Sequence, residues 1–274
     1  MRWRDRLRRW IPPALSEARR RQLGQTQRFS DVDGGWDQAQ RQSTGYAAGN
    51  IVDRVAAATR EVVAGRALYE RDSVLFHTWD FPYQIVAALL DSALAHDGRL
   101  DVIDVGGSLG STYRQCLPFL RHVPHLRWHV VEQAGFVEAG RREFSSVQLQ
   151  FWHAAQEVPL DGPPCFVLLS SVLQYLPEPD QMLQSLLRLP ASHLLIDRTP
   201  MSALATHRLC VQHVPRSIYE ASYPCWVLSR SKLLGDMAAA GWHLKAPHLP
   251  GIEGPCRTTT GFGFEFSGLI AERH

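Results

Sequence analysis

From Asn50 to about His96 the apolar positions recur at helical spacing. Ile51, Val55, Val62 and Val63 share one stripe, and a second run, QIVAALLDSALA, follows Pro82, which predicts a helical preface to whatever comes next. Beyond it the period changes. Short apolar runs, LDVIDV, LRWHVVE, VQLQFW, CFVLLS and HLLID, alternate with helical or loop segments, the pattern of βαβ units around a parallel sheet. The end of the chain departs from this. The helix SRSKLLGDMAAAG runs almost directly into WHLKA, and GFGFEFSGLIAE returns after a Gly- and Pro-rich loop, predicting a final antiparallel pair. Residues 24–45, rich in Gly, Gln, Ser and Asp, read as linker. The aromatic, ionisable stretch YERDSVLFHTWDFPY reads as a loop able to line a pocket.

At 274 residues with 45% hydrophobic and 20% charged positions, the chain can bury a sizeable core. A formal charge of +2 is too close to neutral to imply nucleic-acid binding by the whole protein, which needs a clustered basic face. The basic excess is local: MRWRDRLRRWIPP sets Trp3, Leu7, Trp10 and Ile11 at helical spacing among arginines. Two readings stand for it: peripheral contact with an anionic membrane surface, or a terminal helix that packs on the domain. Five scattered cysteines without a C-x-x-C pair indicate neither a disulfide framework nor a metal site and suit a reducing cytoplasm. No apolar run reaches bilayer-spanning length. The expected division is a basic segment 1–23, a linker and helical cap 24–96, and a sheet domain 97–274.

The sharpest local signal is LDVIDVGGSLGSTYRQ, a strand ending in Asp104 that enters Gly106, Gly107, Ser108, Leu109 and Gly110 before a helix. Glycines there let the backbone turn sharply and admit a ligand to the free N–H groups of the helix start. A dinucleotide fingerprint G-x-G-x-x-G counted from Gly106 meets serine at its second and third glycines, Ser108 and Ser111. The acidic-x-Gly-x-Gly-x-Gly pattern that binds S-adenosyl-L-methionine is met at Asp104, Gly106 and Gly110, with Ser108 in the middle. Glu132, followed by Gln133, closes the next strand about 20 residues on, where a carboxylate can accept both ribose hydroxyls. Trp152 and His153 come at the third strand's tip, placed to grip a base, though core packing competes for Trp152. Ser170, Ser171, Gln174 and Tyr175 lie on the bend after the fourth strand, and Asp197 and Arg198 end the fifth.

Together GGW near Trp36, YERDSVLF, DVGGSLGS, VVEQ, LLSSVLQYLPEP, IDRTP and VPRSIYEASYPCW resemble a family of bacterial methyltransferases often associated with surface-polysaccharide gene clusters. The likeness runs from about Trp36 to the C-terminus. It implies a doubly wound α/β fold: a mostly parallel, seven-stranded Rossmann-like sheet with an antiparallel last strand. It also implies S-adenosyl-L-methionine as methyl donor, with Asp104, Gly106, Gly110 and Glu132 holding it. A small-molecule or glycan acceptor is expected. Tyr69, Arg71, Arg198, Tyr219, Tyr223 and Trp226 are candidates to cover or line its pocket, and His77, Tyr175, Asp197 and His207 are candidate general bases. Two rivals stay open. One is a nicotinamide-dependent oxidoreductase, against which Ser108 and Ser111 count; the other is a non-catalytic protein of this fold that binds a sugar-assembly partner.

Overall fold

The computed structural model describes residues 28–44, 48–160, 162, 165–214, 221–251 and 254–273. In chain order a short strand β1 (Phe29–Asp31) precedes helices α1 (Trp36–Gln42) and α2 (Ala48–Val63), the hairpin β2 (Tyr69–Arg71) and β3 (Val74–Phe76), and helix α3 (Tyr83–Ala95). There follow β4 (Arg99–Val105), α4 (Ser111–Leu120), β5 (His125–Val131), α5 (Ala134–Ala139), β6 (Leu149–Trp152), β7 (Cys165–Ser170), α6 (Pro179–Leu187) and the long β8 (Ala191–Ser202). The chain closes with β9 (Arg208–His213), β10 (Ser222–Ser229), α7 (Arg230–Ala239), β11 (His243–Pro250), β12 (Cys256–Arg257) and β13 (Gly263–Glu272).

The five apolar runs become β4 to β8, parallel in the order β6-β5-β4-β7-β8. Strand β13 then lies antiparallel on β8, and β11 antiparallel on β13, so the predicted parallel sheet with a terminal antiparallel pair is what the chain forms. Near-continuous hydrophobicity follows from covering on both faces. Alternate residues of one strand serve opposite cores: Val102, Leu168 and Leu195 face α2, α3 and α4, whereas Ile103, Val167, Leu169, Leu194 and Ile196 face α6 and α7. All eight are wholly buried, which fixes strand register, since a slip of one residue would exchange the two cores.

Two expectations are corrected. The described part of the supposed linker, residues 28–44, holds β1 and α1. Phe29 is buried edge-on against Phe264, with ring centroids 4.9 Å apart, and β1 pairs with β9. Trp36 of α1 stacks on Trp226 at 6.3 Å. Few apolar anchors among many polar residues hid both elements. The supposed loop YERDSVLFHTWDFPY begins as the β2–β3 hairpin, turned by Asp72 and Ser73 at φ of 52° and 66°.

Strand β8 continues past the tips of its neighbours, and there β10, β9 and β1 extend the sheet. Among the described residues no helix is long and apolar enough to cross a membrane. The basic segment 1–23 lies outside the described residues.

Candidate functional site

Strands β4 to β7 end at one edge, past which β8 runs on to Ser202, so Asp197 and Arg198 lie within β8 rather than ending it. The residues of the glycine turn, Glu132, Trp152, Ser170, Ser171, Gln174, Asp197 and Arg198 gather at this edge. After β4 the chain turns through Gly106, whose N–H donates to the Val131 carbonyl at 2.9 Å. Gly106 sits at φ +72°, and a Cβ there would come within 2.7 Å of Val172 Cγ2. A Cβ on Gly107 would lie 2.5 Å from the Asp104 carboxylate, and one on Gly110, at φ +87°, 2.9 Å from Leu149. All three positions therefore exclude a side chain. Ser108 adopts φ +57° without being glycine, the conformation in which glycine is the default residue.

Asp104 is buried beneath this turn and accepts a hydrogen bond from Trp128 Nε1 at 3.0 Å. Burial pushes its carboxyl up to about 7, against the indole N–H that holds it down. Glu132, half-buried at the tip of β5, accepts the backbone N–H of Gln133 at 2.8 Å and of Ser108 at 3.3 Å. Its carboxylate thereby faces the glycine turn of the neighbouring strand. Burial raises its pKa in spite of these two bonds. Gln133 itself is exposed. At the tip of β6, Trp152 donates its indole N–H to His129 Nδ1 at 3.1 Å, with the Arg141 guanidinium 5.9 Å from its ring. His153 is exposed, its N–H turned to Glu157.

Beyond β7, Ser171 stands at φ +61° and donates its N–H to the Asp197 carbonyl at 2.9 Å. Gln174 is buried and donates to Ser171 Oγ at 3.0 Å and to the Arg198 carbonyl at 3.3 Å. Asp197 accepts from Ser170 Oγ at 3.1 Å and pairs with Arg198 Nε at 3.3 Å. Arg198, at φ +48°, also donates through Nη2 to Ser170 Oγ at 2.9 Å.

Asp197 and Arg198 form one wall of a cavity of about 220 Å³, which Arg71, Asp80, Tyr83 and Gln115 help to enclose. The hairpin that delivers Arg71 is anchored through buried Glu70, which accepts from Ser111 Oγ at the start of α4 and from the Ser73 N–H at 3.2 Å. A carboxylate there also complements the helix N-terminus, while burial raises its pKa. Tyr69 is buried against Phe76, ring centroids 4.6 Å apart. Gln115 and Asp80 could not be singled out beforehand, because nothing in a helix interior or a connection marks a residue as cavity-lining.

Of the four base candidates, Asp197 alone lines this cavity. Tyr175 donates its phenolic proton to Gln212 Oε1 at 2.9 Å. His207 accepts the Ser229 N–H on Nδ1 at 2.7 Å and bonds Asp180 through Nε2 at 2.8 Å, so both ring nitrogens are committed. His77 is exposed. Tyr223 meets Tyr175 edge-on at 5.7 Å, and Trp226 packs on Trp36 while its indole N–H donates to the Leu176 carbonyl at 3.1 Å. Tyr219 lies outside the described residues.

No family model and no curated protein matches the chain. Solved structures are similar in shape. The N-terminal domain of EvdMO1, determined in the presence of SAH and D-fucose, aligns over 81% of this chain and 97% of its own, at 12% identity and a TM-score of 0.45. CalS10, an amino pentose methyltransferase from Micromonospora echinaspora with SAM bound, aligns over 72% and 92%, at 15% identity and 0.43. The glycopeptide N-methyltransferase MtfA, complexed with sinefungin, aligns over 69% and 86%, at 14% identity and 0.45. These are loose likenesses, and no ligand or substrate passes from them to this chain.

Proposed function

We propose that the chain is an S-adenosylmethionine-dependent methyltransferase acting on a small-molecule or glycan acceptor, with O-methylation of a surface-polysaccharide sugar or its precursor as the finer reading. One observation carries it: the glycine turn after β4, closed to side chains at three positions, faces the Glu132 carboxylate on the adjacent strand tip. The three glycines let the turn pack closely on Val172, Asp104 and Leu149, and the free N–H groups of a helix start beside a carboxylate that can accept two vicinal hydroxyls suit a nucleoside. The donor, when bound, would supply a methyl group on a sulfonium, already joined to a good leaving group.

The chain's own residues then have three tasks. Glu132 and the turn hold the nucleoside end, and Gln133 with Trp152 and His153 flanks it. The cavity beside Asp197 receives the acceptor and keeps water from it, so that positioning supplies most of the rate. Asp197 takes the proton of an acceptor hydroxyl at its carboxylate. The exposed aromatic side chain of Tyr83 at the cavity suits the stacking of a sugar ring.

Calorimetric titration with S-adenosylhomocysteine, with NAD as control, tests the reading. Micromolar binding should weaken by about tenfold or more in Glu132→Gln, the loss of hydrogen bonds to a charged group. A folded protein that ignores S-adenosylhomocysteine, or binds NAD instead, refutes it.

A further inference from the structure

Two guanidinium groups converge on the cavity, and they differ in how they are satisfied. Arg198 is held by Ser170 and by its ion pair with Asp197. Arg71 has no such counterion: its described polar contact is Nη2 to Gln115 Oε1 at 3.5 Å, with the guanidinium carbon 5.8 Å from the Tyr69 ring centroid. Among the described residues no carboxylate lies within ion-pair distance of it. Burial, and then the neighbouring Arg198, pull its pKa down. A partly desolvated guanidinium facing another cation is an unfavourable arrangement unless an anion completes it. The planar fork of arginine is the side chain best suited to carboxylate and phosphate.

Charge balance bears on where that anion comes from. Asp197 offsets Arg198 as an ion pair, whereas Asp80 and Asp72, both beyond ion-pair distance, offset Arg71 only in part. The methyl donor carries a sulfonium, an ammonium and one carboxylate, so it adds net positive charge. We infer that the acceptor bears a carboxylate or phosphate, seated between Arg71 and Arg198. A uronic acid or a sugar phosphate meets this description, and a neutral sugar does not. The inference rests on the methyltransferase reading for what counts as acceptor, but the anion seat itself does not depend on it.

The test uses the full chain saturated with S-adenosylhomocysteine and titrated with inorganic phosphate and with D-glucuronate, against D-glucose, read by ligand NMR. Both anions should bind and glucose should not. Arg71→Gln should weaken anion binding by about tenfold or more, and Arg71→Lys by less; Arg198→Gln gives an independent check should the hairpin variant misfold. In parallel, S-adenosylhomocysteine and 5′-methylthioadenosine, which lacks the amino-acid tail, are titrated into wild type and Arg71→Gln. Donor affinity should change by less than about twofold for both. A loss confined to S-adenosylhomocysteine would assign the guanidinium to the donor's own carboxylate and overturn the inference, as would anion binding indifferent to both arginines. If neither adenosine compound binds wild type while phosphate still does, the methyltransferase reading fails and the anion seat stands.

Discussion

Replacing Asp104 by Asn gives the most decisive physical test of the turn that this buried carboxyl supports. Asn keeps the shape and can accept the Trp128 indole N–H, but it does not titrate. In the wild type, burial raises the carboxyl from the ordinary 3.8 to about 7. Below 3.8 both folded and unfolded chains hold the proton, and the group contributes nothing to pH dependence. Between that value and about 7 the unfolded chain has lost the proton and the folded chain retains it, so stability falls as pH rises, by about 1.4 kcal/mol per unit. Above about 7 the loss is complete and flat, at about 4 kcal/mol in all. The variant escapes this, so its stability relative to wild type should grow by about 3 kcal/mol between about pH 4.5 and about pH 8. Glu70 and Glu132, also raised by burial, are present in both chains and largely cancel in the difference. Urea unfolding at the two pH values, with m held equal, measures it. A difference that is independent of pH, or that shrinks toward alkaline pH, refutes the placement of an acid beneath the glycine turn.

Other consequences follow from the same tips. Asp197→Asn should lower turnover by about a hundredfold or more while S-adenosylhomocysteine affinity stays within about twofold, the signature of a base rather than a binding group; steady-state kinetics beside calorimetry separates the two, and unchanged turnover removes Asp197 from the mechanism. Gly106→Ala should destabilise the fold by about 2 kcal/mol and lower Tm by about 5 °C, because its Cβ would meet Val172 in a left-handed backbone conformation; a scanning calorimetry trace matching wild type would contradict the turn geometry.

What could be read from the sequence was what local pattern determines. The runs LDVIDV, CFVLLS and HLLID announce buried parallel strands because both of their faces are covered. The glycine turn and Glu132 were legible because their spacing is set by one strand-turn-helix-strand unit. The hairpin of β2 and β3 was not, since its strands have three residues each and its Asp72-Ser73 turn lacks the usual Asn-Gly signal. Strand β1 was missed for a similar reason: three residues are too few to show a period, and its partner β9 lies far along the chain. The meeting of Arg71 with Arg198 was beyond any local reading, because it depends on the hairpin, α4 and β8 reaching one cavity. The roles suggested for Tyr175 and His207 rested on position along the chain, whereas hydrogen bonds to Gln212, Ser229 and Asp180 decide what those side chains are free to do.

Ser108 and Ser171, just past the ends of β4 and β7, and Arg198, inside β8 where it passes those ends, place three non-glycine residues in left-handed backbone conformations. Each such residue is held there at the expense of about 1 to 3 kcal/mol that glycine would not incur. The protein has therefore kept side chains where relaxation was available, and selection or design for heat tolerance would find its easiest gains at the positions that shape the pocket. A heat-hardened descendant with glycine in place of Ser108 and Ser171, Arg198 being kept by its ion pair with Asp197, would fold more robustly and hold its ligands less well, a direct opposition between endurance and work.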